Sequence, residues 1–348
     1  MTKVGQSRLA EVDFTNLPFG KITSDHMAIA EYEGGEWKNA RVVPFGPLSF
    51  SPMMMALHYG QAVFEGMKAY RGSDGKIRLF RTDAHVARFN YSLLRMSMPD
   101  MSADMFLSML QTLIKTDAAW IPTQPNTSYY IRPIVFATEA QTKVHPSETY
   151  TAVIFGCPSG PYYSNPLKLK VEQTFSRAAP GGVGGTKTAG NYAASLYPTV
   201  IANKEGFDQV LWTDASTHSF VEESGTMNVM FVINGILITP PLGSTILPGI
   251  TRDTILALAN DRKIPVEERS ISVDEIFAAH KRGTLTEAFG TGTAAVIIPY
   301  ASITRGRETI TIPPLTDASI GTQLLKTLND IRSGATTDPH GWVEVVEA

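Results

Sequence analysis

The sequence holds a single cysteine, Cys157, so no internal disulfide can staple the fold, and a reducing compartment fits. No run of about 18 apolar residues occurs, which argues against a membrane-spanning helix. The N-terminus, Met1-Thr-Lys-Val-Gly-Gln-Ser, has no apolar h-region and does not read as a signal peptide, so a cytoplasmic location is expected. Excess charge is also missing. Thirty basic against 33 acidic residues leave a formal net charge of −3 with no basic block, which argues against nucleic acid as a partner. The seven histidines are scattered, with no pair at metal-ligand spacing, so no metal is expected. No Gly-x-Ser-x-Gly elbow is present, and no repeat or low-complexity tract was found.

What remains is ordinary globular composition, 43% apolar and 18% charged, over 348 residues, a length that favours two domains. The segment Gly156-Cys-Pro-Ser-Gly-Pro-Tyr-Tyr-Ser-Asn-Pro packs three prolines and two glycines into eleven residues and reads as an interdomain connection. The expected division is therefore a first domain over 1–155, a loop over 156–166 and a second domain over 167–348. Strands and helices interleave in both halves, giving an α/β or α+β class. Thr82 or Asp83 is expected to cap a helix running to about Met98, with Val86, Phe89, Leu93 and Met96 as its buried stripe. Arg81, Arg88 and Arg95 recur every seven residues on another face, where a solvated basic stripe is the plain reading. A second helix is expected over 102–118. Asn234-Gly235 between two apolar runs is a hairpin signal, Ser272-Val-Asp-Glu is a capping box, and Thr251 is expected near a helix N-cap. Cys157 reads as a buried structural thiol.

The most unusual stretch is Ala179–Leu196, with five glycines between 181 and 190 and Lys187 among them. Such a loop can cradle a phosphate or present a lysine. Against the first, Thr186 rather than glycine precedes Lys187, and Glu172-Gln-Thr-Phe-Ser-Arg is too polar for the strand that leads into a P-loop. Nucleotide binding by Gly181–Lys187 stays as the alternative. A lysine amine can also bond the aldehyde of pyridoxal phosphate. That cofactor needs a carboxylate at its ring nitrogen, a donor at its phenolate oxygen and a phosphate cup. Candidates exist for each: Glu223, Tyr192, and the Ile250-Thr251 helix start with Thr293.

Their order resembles the branched-chain amino-acid aminotransferases, a group of fold-type IV pyridoxal phosphate enzymes. The resemblance runs from His58 to Tyr300. It rests on His58-Tyr-Gly-x-x-x-Phe-Glu-Gly-Met-Lys-Ala-Tyr, Arg78-Leu-Phe-Arg, Tyr130-Ile-Arg-Pro, Gly190-Asn-Tyr, Glu223-Ser-Gly-Thr-Met-Asn, Thr239-Pro-Pro-Leu, Leu247-Pro-Gly-Ile-Thr-Arg and Gly292-Thr-Ala. It implies a two-domain fold, a small α/β domain plus a larger pseudo-barrel domain, in a homodimer with the site at the domain boundary. It implies Lys187 as the Schiff-base and proton-shuttle lysine, Glu223 at the pyridine nitrogen, Tyr192 at the phenolate oxygen and Arg88 on the phosphate, which takes Arg88 out of the solvated stripe. Ile250, Thr251 and Thr293 would complete the cup. Tyr59, with amides around Thr226 and Ala294, would seat the substrate α-carboxylate. Phe64, Tyr130 and Tyr162 would wall an apolar pocket, Arg132 would meet the distal carboxylate of glutamate, and a loop near Val144 would cover the partner's pocket. The implied reaction is ping-pong transamination of leucine, isoleucine or valine with 2-oxoglutarate. Thr188-Ala189 stand where relatives often carry glycine. Ala295-Val-Ile-Ile excludes the Cys-x-x-Cys pair of some members. A D-amino-acid or amine transaminase of the same cofactor class is the near alternative.

Overall fold

The computed structural model describes residues 1–347, which divide into two compact units. The first comprises Met1–Tyr162, Lys187–Gly190 and the chain from Asp330 onward. Its strands are β1 (His26–Glu33) and β2 (Glu36–Pro44). After helix α1 (Met55–Tyr59) come β3 (Ala62–Phe64), β4 (Met67–Arg71) and β5 (Ile77–Phe80). Helices α2 (Thr82–Arg95) and α3 (Ala103–Thr116) precede the long strands β6 (Ser128–Ala137) and β7 (Tyr150–Ser159). Gly34 and Gly35, with φ of 68° and 87°, make the β1–β2 turn. The sheet runs β5–β4–β6–β7–β1–β2, β3 pairs with β6, and Val343–Val346 adds an antiparallel strand beyond β5. Its pairings are antiparallel, and β6 alternates buried and half-buried residues along its second half, as a sheet with one sealed face requires. The apolar face takes α2 and α3, whose Phe89 and Phe106 rings meet at 5.7 Å.

The second unit comprises Tyr163–Thr186 and Asn191–Asn329. Its elements begin with β8 (Leu167–Val171), α4 (Ala189–Lys204), β9 (Gln209–Thr213), β10 (Val221–Ser224), β11 (Met227–Ile233), β12 (Ile236–Thr239) and α5 (Ile250–Asp261). They continue with β13 (Val266–Glu268), α6 (Val273–Lys281), β14 (Leu285–Gly292), β15 (Val296–Arg305), β16 (Glu308–Thr311) and α7 (Ile320–Ser333). The strand order is β10–β9–β8–β15–β14–β11–β12–β13, and β10 also pairs with β11. Six strands thereby close into a ring, the pseudo-barrel that was expected, with β8 parallel to both neighbours and the other pairings of the ring antiparallel. The ring itself has no open edge, β12–β13 and β16 extend from it, and β11 is buried along its whole length.

Several expectations shift. The 156–166 connection starts later than its prolines and glycines imply, because β7 pairs with β6 out to Ser159. Residues from 330 onward, expected in the second domain, return to the first unit because Val343–Val346 needs the β5 edge. Neither Thr82 nor Asp83 caps α2. Arg81 stands at that N-cap in the left-handed region, φ 52°, with no side-chain cap bond; its N–H is bound by the Trp342 carbonyl at 2.7 Å and its guanidinium lies 5.3 Å from the Trp342 ring. Gly249 is the N-cap of α5, with Thr251 two residues on, near the cap as expected. Ser102 and Ser272 do cap α3 and α6. Cys157 is buried, and burial pushes its thiol up to about 11. Among the described residues no helix is long and apolar enough to cross a membrane, and no group of three or more His, Cys, Asp or Glu side chains could hold a metal.

Candidate active site

In the first unit, α2 turns His85, Arg88 and Ser92 inward at spacings of three and four, which is one helix face. Arg95, the last of the arginine series, is exposed and Arg81 half-buried, so the solvated reading fails for Arg88. Arg88 donates from Nε and Nη2 to Glu65, at 2.9 and 2.6 Å, in a bidentate pair. Glu65 has no exposed surface and also accepts the Gly66 N–H at 2.7 Å. Burial alone would raise its pKa; the charge of Arg88 and the neighbouring His85 outweigh that and hold the carboxyl well below the usual range. Burial pushes His85 down, and its Nδ1 lies 3.3 Å from Glu65. The Glu65–His85 part of this cluster escaped sequence reading. Its signal was available in the spacing of His85 to Arg88 on one helix face.

Lys187 is half-buried on this side of the chain. Its N–H donates to Ser92 Oγ at 3.0 Å, its carbonyl accepts the Phe64 N–H at 3.1 Å, and Thr188 bridges antiparallel to Val63. Its Nζ lies 5.0 Å from the Phe64 ring centroid. A second lysine of chemical interest is Lys68 on β4, buried, its amine lowered to about 7 by burial and by Arg332.

Phe64, Tyr130, Arg132 and Tyr162 lie near one another in this unit. The Arg132 guanidinium stands 4.5 Å from the Phe64 ring and 5.4 Å from the Tyr130 ring, and its Nη2 donates to Tyr130 Oη at 2.9 Å. Phe19, which sequence reading missed, bridges Tyr130 and Tyr162 with centroids at 4.8 and 4.7 Å. Tyr59 closes α1, is 40% exposed, and donates its hydroxyl to the Thr142 carbonyl.

In the second unit one pocket is lined by Tyr192, Glu223 and Thr226 together with Arg177 and Leu247. Glu223 Oε1 accepts the Leu247 N–H at 2.7 Å and faces Asn228 Nδ2 at 3.4 Å, while Oε2 pairs with Arg177 Nε at 3.2 Å. Arg177 Nη2 in turn donates to the carbonyls of Gly184 and Thr245. Burial raises Glu222, against the opposing effects of Thr245 and Arg177. Leu247 leads through Pro248 and Gly249 into α5, where Ile250 and Thr251 are buried in the first turn and the helix presents its N-terminal amides. Thr293 and Ala294 form the half-buried β14–β15 turn, which ends on Val296 at φ 64°, a strained backbone for a β-branched residue. The buried Thr291 hydroxyl beside this turn has no hydrogen-bond partner among the described residues.

The glycines have a packing role. A Cβ on Gly184 would come within 2.4 Å of Ala178 Cβ and 2.9 Å of the Ser244 carbonyl, and the Gly185 N–H donates to Ser244 O at 2.9 Å. The glycines seat the loop on residues 243–246, and the backbone of Lys187 itself is held on both sides.

The donor set fits pyridoxal phosphate. Each unit by itself carries groups of the kind such a molecule asks for, an amine and a buried arginine in the first and a buried carboxylate with its own donors, a phenol and a helix N-terminus in the second.

The model of the amino-transferase class IV family matches residues 62–303. The chain is 44% identical over 339 residues to branched-chain-amino-acid transaminase 1 of Bacillus subtilis, covering 96% of this chain and 95% of that one. The crystal structure of the Escherichia coli branched-chain amino acid aminotransferase superposes with a TM-score of 0.78 at 27% identity, covering 93% of this chain and 99% of the other. The Thermobaculum terrenum enzyme of the same description, solved in its pyridoxal-phosphate form, shares the fold with a TM-score of 0.74 at 24% identity, covering 92% and 98%.

Proposed function

Because the chain belongs to the class IV aminotransferases, in the branched-chain group of these pyridoxal phosphate enzymes, we propose that it moves the amino group of leucine, isoleucine or valine to 2-oxoglutarate, giving branched 2-oxo acids and L-glutamate. When bound, pyridoxal phosphate supplies an aldehyde for the amino group and a ring that draws electron density from the substrate Cα. Lys187 holds the aldehyde end, and its Nζ takes the proton from the substrate Cα as base and then, as acid, gives it up to the former aldehyde carbon. Glu223 and Tyr192 hold the ring nitrogen and the phenolate oxygen. Arg88, the amides of Ile250 and Thr251, and Thr293 hold the phosphate. Tyr59 and the amides around Thr226 and Ala294 receive the substrate α-carboxylate. The two half-reactions share one site in turn, so the first 2-oxo acid leaves before 2-oxoglutarate enters.

The observation that carries the substrate reading is Arg132 laid against Phe64 and Tyr130. A branched aliphatic chain needs an apolar wall, and a five-carbon diacid needs a cation; here one arginine with its charge on an aromatic wall offers both. A homodimer is part of the proposal. Leu48, Phe50, Met53 and Leu57, at and before α1, are 36%, 39%, 46% and 67% exposed, and Val144 in the loop between β6 and β7 is 77% exposed, apolar surface that a second copy would cover. The test is a spectral titration of the purified holoenzyme with L-leucine, L-glutamate and D-alanine. Both L-amino acids should abolish the visible band of the lysine-bound cofactor and D-alanine should leave it. Bleaching by D-alanine alone would assign the protein to the D-specific alternative.

A further inference from the structure

A lysine that passes a proton back and forth needs a fixed pivot, since a small misplacement of a reacting group costs rate out of proportion. In the first unit three contacts make one: Lys187 N–H to Ser92 Oγ at 3.0 Å, Phe64 N–H to the Lys187 carbonyl at 3.1 Å, and the Val63–Thr188 bridge. The last two are main-chain contacts that many sequences could make. The first depends on one side chain.

Ser92 lies within α2 and has no exposed surface. Serine is a poorer helix former than alanine, and a buried helical serine commonly back-bonds to the carbonyl four residues earlier. Ser92 does so, donating to the Arg88 carbonyl at 2.9 Å, which turns an oxygen lone pair toward the Lys187 N–H. The same hydroxyl thus joins the lysine peptide to the residue that carries the buried guanidinium, and Arg88 is itself clamped by Glu65. One helical turn, about 6 Å of rise, separates Ser92 from Arg88. We propose that Ser92 is a positioning residue for Lys187: its hydroxyl sets the lysine backbone in register with Arg88 on α2, so that only the side chain moves during turnover.

This inference rests on the assignment of Lys187 above. The test compares holoenzymes of the wild type, Ser92→Ala, Ser92→Cys and Ser24→Ala. Ser24 is a control for loss of a buried hydroxyl, since it meets Tyr129 Oη at 2.6 Å in the same unit. Hydrogen-exchange mass spectrometry of peptides spanning 186–190 reads the Lys187 amide. Ser92→Ala should speed that exchange about tenfold and lower kcat about tenfold, with KM for L-leucine within about threefold. Ser92→Cys, near-isosteric with a weak acceptor, should fall between, and carries the test by itself if the alanine variant does not fold. Ser24→Ala should leave the 186–190 exchange and the kcat/KM pattern as in the wild type. Unchanged exchange at 186–190 in the folded Ser92 variants, or the same loss of kcat in Ser24→Ala, would overturn the proposal. Failure of the Lys187 assignment would show differently, as a visible cofactor band that survives Lys187→Ala whatever Ser92 does to amide exchange.

Discussion

Gly249→Ala should damage the second unit by a route that backbone conformation does not foresee. Gly249 sits at φ −69°, ordinary for alanine, so the substitution alone should stabilise by about 0.4–1 kcal/mol through the unfolded chain. The obstacle is steric. An added Cβ would stand 1.9 Å from Asn228 Oδ1 and 3.1 Å from its Cγ. Asn228 is 5% exposed and cannot swing into solvent; its Nδ2 donates to the Leu247 carbonyl at 2.9 Å and faces Glu223. Moving it costs about 1 kcal/mol for the buried hydrogen bond and about 1–3 kcal/mol for overpacking. Net of the backbone gain, the loss should be about 1–3.5 kcal/mol in urea unfolding of the apoprotein, and cofactor affinity should drop about tenfold as the support of Glu223 loosens. Gly243→Ala, with open space around the new Cβ, should be neutral or slightly stabilising. Asn228→Ala should relieve the clash, so the Gly249→Ala/Asn228→Ala pair should be about 1 kcal/mol more stable than the two single losses summed. A Gly249→Ala protein as stable as wild type, with unchanged cofactor affinity, would refute this reasoning.

The buried Glu65–His85 pair should make the first unit acid-sensitive in two windows. His85 is held below its unfolded value of 6.5, so below that pH the unfolded chain takes a proton the folded one refuses, and stability falls as pH falls. Glu65 is likewise held below 4.5, adding a second loss as pH drops through and beneath that value. Melting temperature against pH should therefore decline from about 6.5 downward, and His85→Gln should flatten the first window only; equal slopes in both proteins would contradict it. Arg132→Leu should raise KM for 2-oxoglutarate at least about tenfold while leaving that for L-leucine within about threefold, because it removes the cation and keeps an apolar wall. Steady-state kinetics with each substrate would show whether both constants instead move together.

Where local chemistry decided the structure, it was readable. Ser102 and Ser272 cap helices because a short hydroxyl side chain reaches the third amide, and Asn234-Gly235 turns because both tolerate positive φ, here 53° and 77°. The pocket around Glu223 was named from motif order rather than from spacing, and Tyr192 and Thr226 do line it. What escaped depended on contacts across long sequence separations. Arg81 replaces Thr82 at a helix start because the distant Trp342 carbonyl holds its N–H. Arg177 and Glu223 are 46 positions apart, and Glu65 meets Arg88 across 23; no periodicity joins them. From sequence the glycines of 181–185 read as a phosphate cradle or a lysine-presenting loop, whereas Gly184 serves close packing against Ser244, a distinction visible only once both backbones are placed.

The covalent role of Lys187 is the claim on which the rest depends. Borohydride reduction of the holoenzyme would fix the cofactor to the amine that bears it, and peptide mass spectrometry would locate the added mass. The expected result is one phosphopyridoxyl group per chain on the peptide containing Lys187, and none in Lys187→Ala. A label on Lys68, the buried amine lowered to about 7, or no label on any lysine of the active protein, would contradict the account.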